Sequence, residues 1–81
     1  VEFFVEKYAV DDVVDWFGKG VTFREKEGRI LASVVANAQA MEYWAMQYLN
    51  AVEVISPLSL REKIAANLAA GAEKYARGQE E

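Results

Sequence analysis

Between Trp44 and Arg61 the chain changes its hydrophobic period twice, and this constrains the fold more than any other feature. Trp44 to Leu49 closes an amphipathic helix, Asn50 and Ala51 read as a tight turn, and Val52-Glu53-Val54-Ile55 is a short strand. Pro57 blocks continuation of that strand and suits the first turn of a helix. A strand set between two helices needs partner strands to satisfy its backbone, and these must come from the earlier part of the chain.

That earlier part supplies three. Val1 to Glu6 is rich in β-prone residues, with Phe3 and Val5 on one side. Val21 to Lys26 alternates, with Val21 and Phe23 opposed to Thr22, Arg24 and Lys26, the pattern of a half-buried strand. Glu27-Gly28 is a hairpin turn, with Gly28 free to take positive φ, and Arg29 to Ala36 is the returning strand. The run Arg24 to Glu27 reads as the solvated hairpin tip.

Between the first two strands, Val10, Val13, Val14 and Phe17 fall at the i, i+3, i+4, i+7 spacing of a short helix. Asp11 and Asp12 sit in its first turn, where the helix dipole favours negative charge, and Gly18 is its stop. Asn37 caps the next helix, from Ala38 to Leu49, whose inward face is Met41, Trp44, Ala45, Tyr48 and Leu49. Asn50 is expected to close it in the left-handed conformation. The last helix runs from about Leu60 to Ala76, with Ser59 and Glu62 as a capping box. Leu60, Ile64, Leu68, Gly71 and Tyr75 form its stripe, with Gly71 allowing close packing, and residues 77–81 form a frayed tail.

The expected order is therefore β-α-β-β-α-β-α, an α+β fold in a single domain over residues 1–81. Its first six elements match the ferredoxin-like split βαβ arrangement, a four-stranded antiparallel sheet with two helices on one face, here with an additional C-terminal helix. The other sheet face is open unless something covers it. Starting at Val1 inside a strand pattern, the chain reads as a piece of a longer protein.

Composition removes several classes of function. The 81 residues contain no cysteine and no histidine, which leaves no disulfide framework, no thiolate or imidazole metal site and no histidine base. Ser33, Ser56, Ser59 and Thr22 have no histidine to activate them, so neither an enzyme nor a cofactor is expected. The longest uncharged run, Ile30 to Met41, falls short of the ~20 residues of a membrane span. With a net charge of −4 and Lys and Arg scattered among Asp and Glu, direct DNA binding is not expected.

Arg61 is the sharpest candidate for a site. A cation in the first turn of a helix opposes the dipole and needs a reason. It either contacts an anion, a nucleotide phosphate or another domain, or pairs with a carboxylate of this chain such as Glu53. Trp44 and Tyr48 read as core. Tyr43 and Met46 fall off the inward stripe of their helix, and Trp16 falls off its own; each is a candidate contact with another surface or a scattered surface hydrophobe. Phe4, Leu31, Ser33, Val35 and Ile55 form the alternate sheet face if Phe3, Ala32, Val34 and Val54 point to the helices. A face carrying Phe4, Leu31, Val35 and Ile55 is too apolar to leave wet, so either the last helix or another molecule covers it.

The tryptophan-bearing helix (Trp44), the Val52-Glu53-Val54-Ile55 strand, Pro57, the Leu60-Arg61 pair and Tyr75 closing a long final helix together resemble the WCX domain. This is the C-terminal extension of bacterial WYL-domain transcriptional regulators. The family commonly has glycine at the turn where this chain has Asn50. The resemblance implies a cytoplasmic parent with an N-terminal helix-turn-helix that binds DNA, a central WYL domain, and this part as an effector-sensing or dimerisation domain. Its partners would be its own WYL and helix-turn-helix domains, a second copy in a homodimer, and a small-molecule or nucleotide effector, with DNA reached only through the N-terminal domain and no membrane. Two other readings remain open: a ferredoxin-like small-molecule-binding domain, and an RNA-binding module stacking bases on Phe4 and Phe23, whose class normally carries a basic aromatic motif absent here.

Overall fold

The structure is a computed structural model and describes residues 1–78. The elements are β1 (Glu2–Val5), α1 (Val10–Phe17), β2 (Val21–Lys26), β3 (Arg29–Val34), α2 (Ala38–Gln47), β4 (Val52–Ser56) and α3 (Leu58–Gly78). The four strands form one sheet in the order β2-β3-β1-β4, and every neighbouring pair is antiparallel. It is an α+β fold with three α-helices. β1 and β3 are the inner strands, and β2 and β4 are the edges.

Register decides which side chains share a face. Phe23 pairs with Ala32, Ala32 with Phe3, and Phe3 with Val54, a row running across all four strands. Small Ala32 between two phenylalanines leaves room for both rings. This row lies in the main core together with Val13 of α1, Met41 and Ala45 of α2, and Leu60 and Ile64 of α3. Phe3, Val13 and Met41 are fully buried. The next row, offset by one residue, is Arg24, Leu31, Phe4 and Glu53, and it points to the opposite face because side chains alternate along a strand.

Local chemistry sets most of the boundaries. The Asn37 side chain accepts hydrogen bonds from the amides of Gln39 (2.9 Å) and Ala40 (3.1 Å), satisfying two of the free donors at the start of α2. Glu27 and Gly28 both adopt positive φ, 55° and 79°, as a two-residue hairpin loop of the mirror-image type requires. Gly18 ends α1 with φ of 59°.

Several expectations are corrected. Asn50 is not left-handed: the amides of Ala51 and Val52 both donate to the carbonyl of Tyr48, so this turn closes without a left-handed residue. Ser59 does not cap α3, because the carbonyl of Pro57 already accepts from the amides of Leu60 and Arg61, which places Ser59 inside the helix. β3 ends at Val34, and Val35, expected on the alternate sheet face, is fully exposed. Val14 is exposed too, since the core receives only Val10, Val13 and Phe17 of the expected stripe. Of the expected tail, Arg77 and Gly78 are helical, and residues 79–81 lie outside the described residues.

α3 engages the domain through its first turns only. Leu60 and Ile64 are buried, while Asn67 donates to Glu42 (2.8 Å) and Lys63 pairs with the same carboxylate (3.9 Å). Leu68 and Tyr75 of the expected stripe are exposed, and the molecule is 47 Å long but 24 Å across. Gly71 does not serve close packing, because a Cβ added there meets nothing within 4 Å. Gly71→Ala is therefore expected to raise the stability of the chain by up to about 1 kcal/mol, through helix propensity and a less flexible unfolded state. Urea denaturation of the two proteins side by side measures it.

Candidate functional site

The face of the sheet away from the main core carries a charged lattice built on two glutamates. Glu53, outward on β4, accepts from Arg61 Nη1 at 2.9 Å and from Arg29 at 3.2 Å. Glu2, outward on β1, accepts from Arg24, Ser33 and Ser56, each at 3.3 Å. These contacts join all four strands and α3. The Arg29 guanidinium also lies 3.9 Å from the centre of the Phe4 ring, a cation–π contact worth about 0.5–1 kcal/mol at an exposed site. Leu31 is buried on this face at 2% exposure, outside the main core.

The expected face of Phe4, Leu31, Val35 and Ile55 is thus corrected. Val35 has left it, Leu31 is buried, Phe4 is half-buried beneath Arg29, and Ile55 is half-buried at a register irregularity of β4. Nor does α3 cover it, since Leu60 and Ile64 join the main core on the helix side. Phe23 packs there too, so Phe4 and Phe23 do not form the shared aromatic surface of the RNA-binding reading.

Arg61 finds its partner within the chain. Besides Glu53, its Nη1 donates to the carbonyl of Val54 at 2.7 Å. The helix cation that opposes its dipole is therefore held by a carboxylate and a carbonyl of strand β4. β4 is an edge strand, and edges present unpaired backbone groups to other chains. Arg61 covers one such group.

The Glu53 carboxyl is held below its ordinary value of 4.5, chiefly by the hydrogen bond from Arg61, which outweighs the opposing effect of burial, with Arg29 adding to it. A depressed carboxylate stabilises the fold above its unfolded pKa, and that stabilisation is lost as pH falls through the folded pKa. The pair is well exposed to solvent, so its contribution is at most about 1 kcal/mol. Glu53→Gln is expected to lower stability by that order at pH 7, and the gap between the two proteins should close as pH drops below 4.5. Chemical denaturation across the acid range checks both statements.

A second site lies between α1 and the C-terminal end of α2. The rings of Trp16, Trp44 and Tyr48 cluster with centroids 4.5–5.7 Å apart. Trp16 packs sideways onto α2, which is why it departs from the stripe of α1. Trp44 reaches inward from the same cluster to Phe3 (5.2 Å) and Phe17 (5.2 Å). The Trp44 Nε1 is buried and finds no hydrogen-bond partner among the described residues. Its indole makes near-perpendicular ring contacts with Trp16 and Phe17. The Tyr8 hydroxyl donates to the carbonyl of Asn50 at 3.2 Å, tying the start of α1 to the turn before β4. Tyr8, Trp16, Trp44, Tyr48 and Asn50 line a cleft of about 430 Å³.

Of the remaining candidates, Met46 is corrected from an exposed contact to a half-buried residue that packs against the core and lines this cleft. Tyr43 is exposed at 70%, on the side of α2 that faces a shallow groove beside Ser59 and Lys63. Sequence reasoning missed Glu2, Arg29, Tyr8 and Asp12. Glu2 and Arg29 share the outward phase of Phe4 and Leu31, but only the register shows which carboxylate meets which guanidinium. Among the described residues no group of three Asp, Glu, His or Cys side chains is placed to hold a metal ion, and no helix is long and apolar enough to cross a membrane.

A four-stranded antiparallel sheet with three α-helices, a charged lattice on one face and an aromatic cleft between α1 and α2 define a small α+β domain. The chain belongs to the WCX domain family, whose model matches residues 1–72. No curated protein and no solved structure matches it.

Proposed function

We propose that this domain is the C-terminal regulatory part of a bacterial, cytoplasmic WYL-type transcriptional regulator, acting by effector sensing or by setting the arrangement of two protomers. Membership of the WCX family across residues 1–72 carries this reading. The strand order and the placement of α1 and α2 between strands support a ferredoxin-like split βαβ connectivity with α3 appended.

The role is binding rather than catalysis, and the DNA contact belongs to the helix-turn-helix of the parent. The net charge of −4 supports that division, as do the ion pairs that already occupy Arg24, Arg29 and Arg61. Regulation requires that an effector or partner bind two arrangements of the regulator with different affinity. Exposed Tyr43, half-buried Ile55 and the outer length of α3 are the surfaces available to the parent's WYL domain or to a second copy. The aromatic cleft favours a second reading, a small-molecule-binding domain, and the two are compatible in one effector-sensing module.

Sedimentation equilibrium of the chain over a wide concentration range tests the assembly part. Reversible dimerisation weakened by Tyr43→Ala or Ile55→Asp is the expected result. A strict monomer, with any dimer Kd weaker than about 1 mM, removes self-association from the reading.

A further inference from the structure

We infer that the cleft between α1 and α2 binds a flat aromatic cation, a small organic molecule joining an aromatic ring to an ammonium group. The inference rests on the regulatory reading only for its biological role, since the binding itself is argued from the cleft.

Its volume of about 430 Å³ falls within the roughly 300–1,000 Å³ of small-molecule sites. The walls are aromatic: Trp16, Trp44 and Tyr48 meet tilted or edge on, and Tyr8, which also lines the cleft, is fixed by its hydrogen bond to the Asn50 carbonyl. Ring faces carry negative charge density and attract cations, and tryptophan does so most strongly. Rings already in place also lower the ordering cost of binding another flat ring.

Charge selects among flat ligands. Among the described residues, Asp12 is the one charged residue lining the cleft, and neither lysine nor arginine lines it. Asp11 shares the first turn of α1 with Asp12. An anionic ligand would meet a carboxylate with no cation to offset it, whereas a cationic one gains from both the carboxylate and the rings. The side-chain amide oxygens of Gln47 and Asn50, which also line the cleft, can accept from an ammonium.

Tryptamine and indole-3-propionate share a ring system and differ in the sign of their charge. Titrated into the 81-residue chain and followed by heteronuclear NMR, tryptamine is expected to bind about tenfold or more tightly than indole-3-propionate, with shifts centred on Trp16, Trp44 and Tyr8. Asp12→Asn should narrow that preference at an unchanged fold. Trp16→Ala should weaken tryptamine by about tenfold; because Trp16 is partly exposed, the core should survive, and Trp16→Phe should restore part of the affinity. Equal binding of the two probes, or no binding of tryptamine at concentrations of about 10 mM, overturns the inference. So does methylguanidinium binding as tightly as tryptamine, since that would assign the cleft to an arginine side chain of a partner protein. None of these outcomes depends on whether the chain dimerises.

Discussion

The Phe3 side chain is the contact on which the rest of the structure depends. It sits on an inner strand, backed by Ala32 on one side and Val54 on the other, and is fully buried. Its ring meets Phe17 of α1 at 6.3 Å and Trp44 of α2 at 5.2 Å. One residue thus joins both covering helices to the middle of the sheet. In a chain this short the hydrophobic surplus is thin, so a few large aromatic side chains must supply much of it. Trp44 then serves two regions at once. One side of it closes the core, and the other forms a wall of the cleft, so the geometry of the cleft is inherited from the packing of Phe3.

The opposite sheet face is stabilised by different physics. Arg29, Arg61 and Glu53 tie β3, α3 and β4 together, and Arg24 and Glu2 tie β2 to β1. Each pair is solvent-exposed and individually weak. Their joint effect is to lay a guanidinium over apolar Phe4 and to occupy an edge carbonyl of β4. This keeps an otherwise sticky face in water without a large apolar patch. It also moves the candidate contact surface away from the centre of the sheet, toward α2 and the projecting length of α3.

Much of the fold was legible from local signals. The alternation of Val21 to Lys26, the Glu27-Gly28 turn, the Asn37 cap and the stop at Pro57 each act over a few residues, and each appears where expected. Errors fell where two local rules compete or where a distant residue intervenes. β3 is apolar on both faces, so alternation could not show that Leu31 would be buried on the face away from the main core. Trp16 breaks the stripe of α1 because its aromatic partners, Trp44 and Tyr48, come from α2 and its C-cap. Asn50 tolerates the left-handed conformation, yet two amides converging on the Tyr48 carbonyl closed the turn in another way. The Glu53 partner of Arg61 was one of the open alternatives, and the two side chains meet at 2.9 Å.

The sequence by itself determined the order and type of the elements, the inward phase of Phe3, Val5 and Phe23, and the absence of cysteine and histidine chemistry, because all of these are set by residue type and short-range spacing. Tertiary structure alone decided which carboxylate meets which arginine, that Trp16, Trp44 and Tyr48 converge on one cleft, and that α3 packs only through its first turns. Those outcomes depend on strand register and on the angle at which helices cross the sheet. Neither quantity leaves a periodic signature in the chain, since both arise from contacts between residues far apart in it.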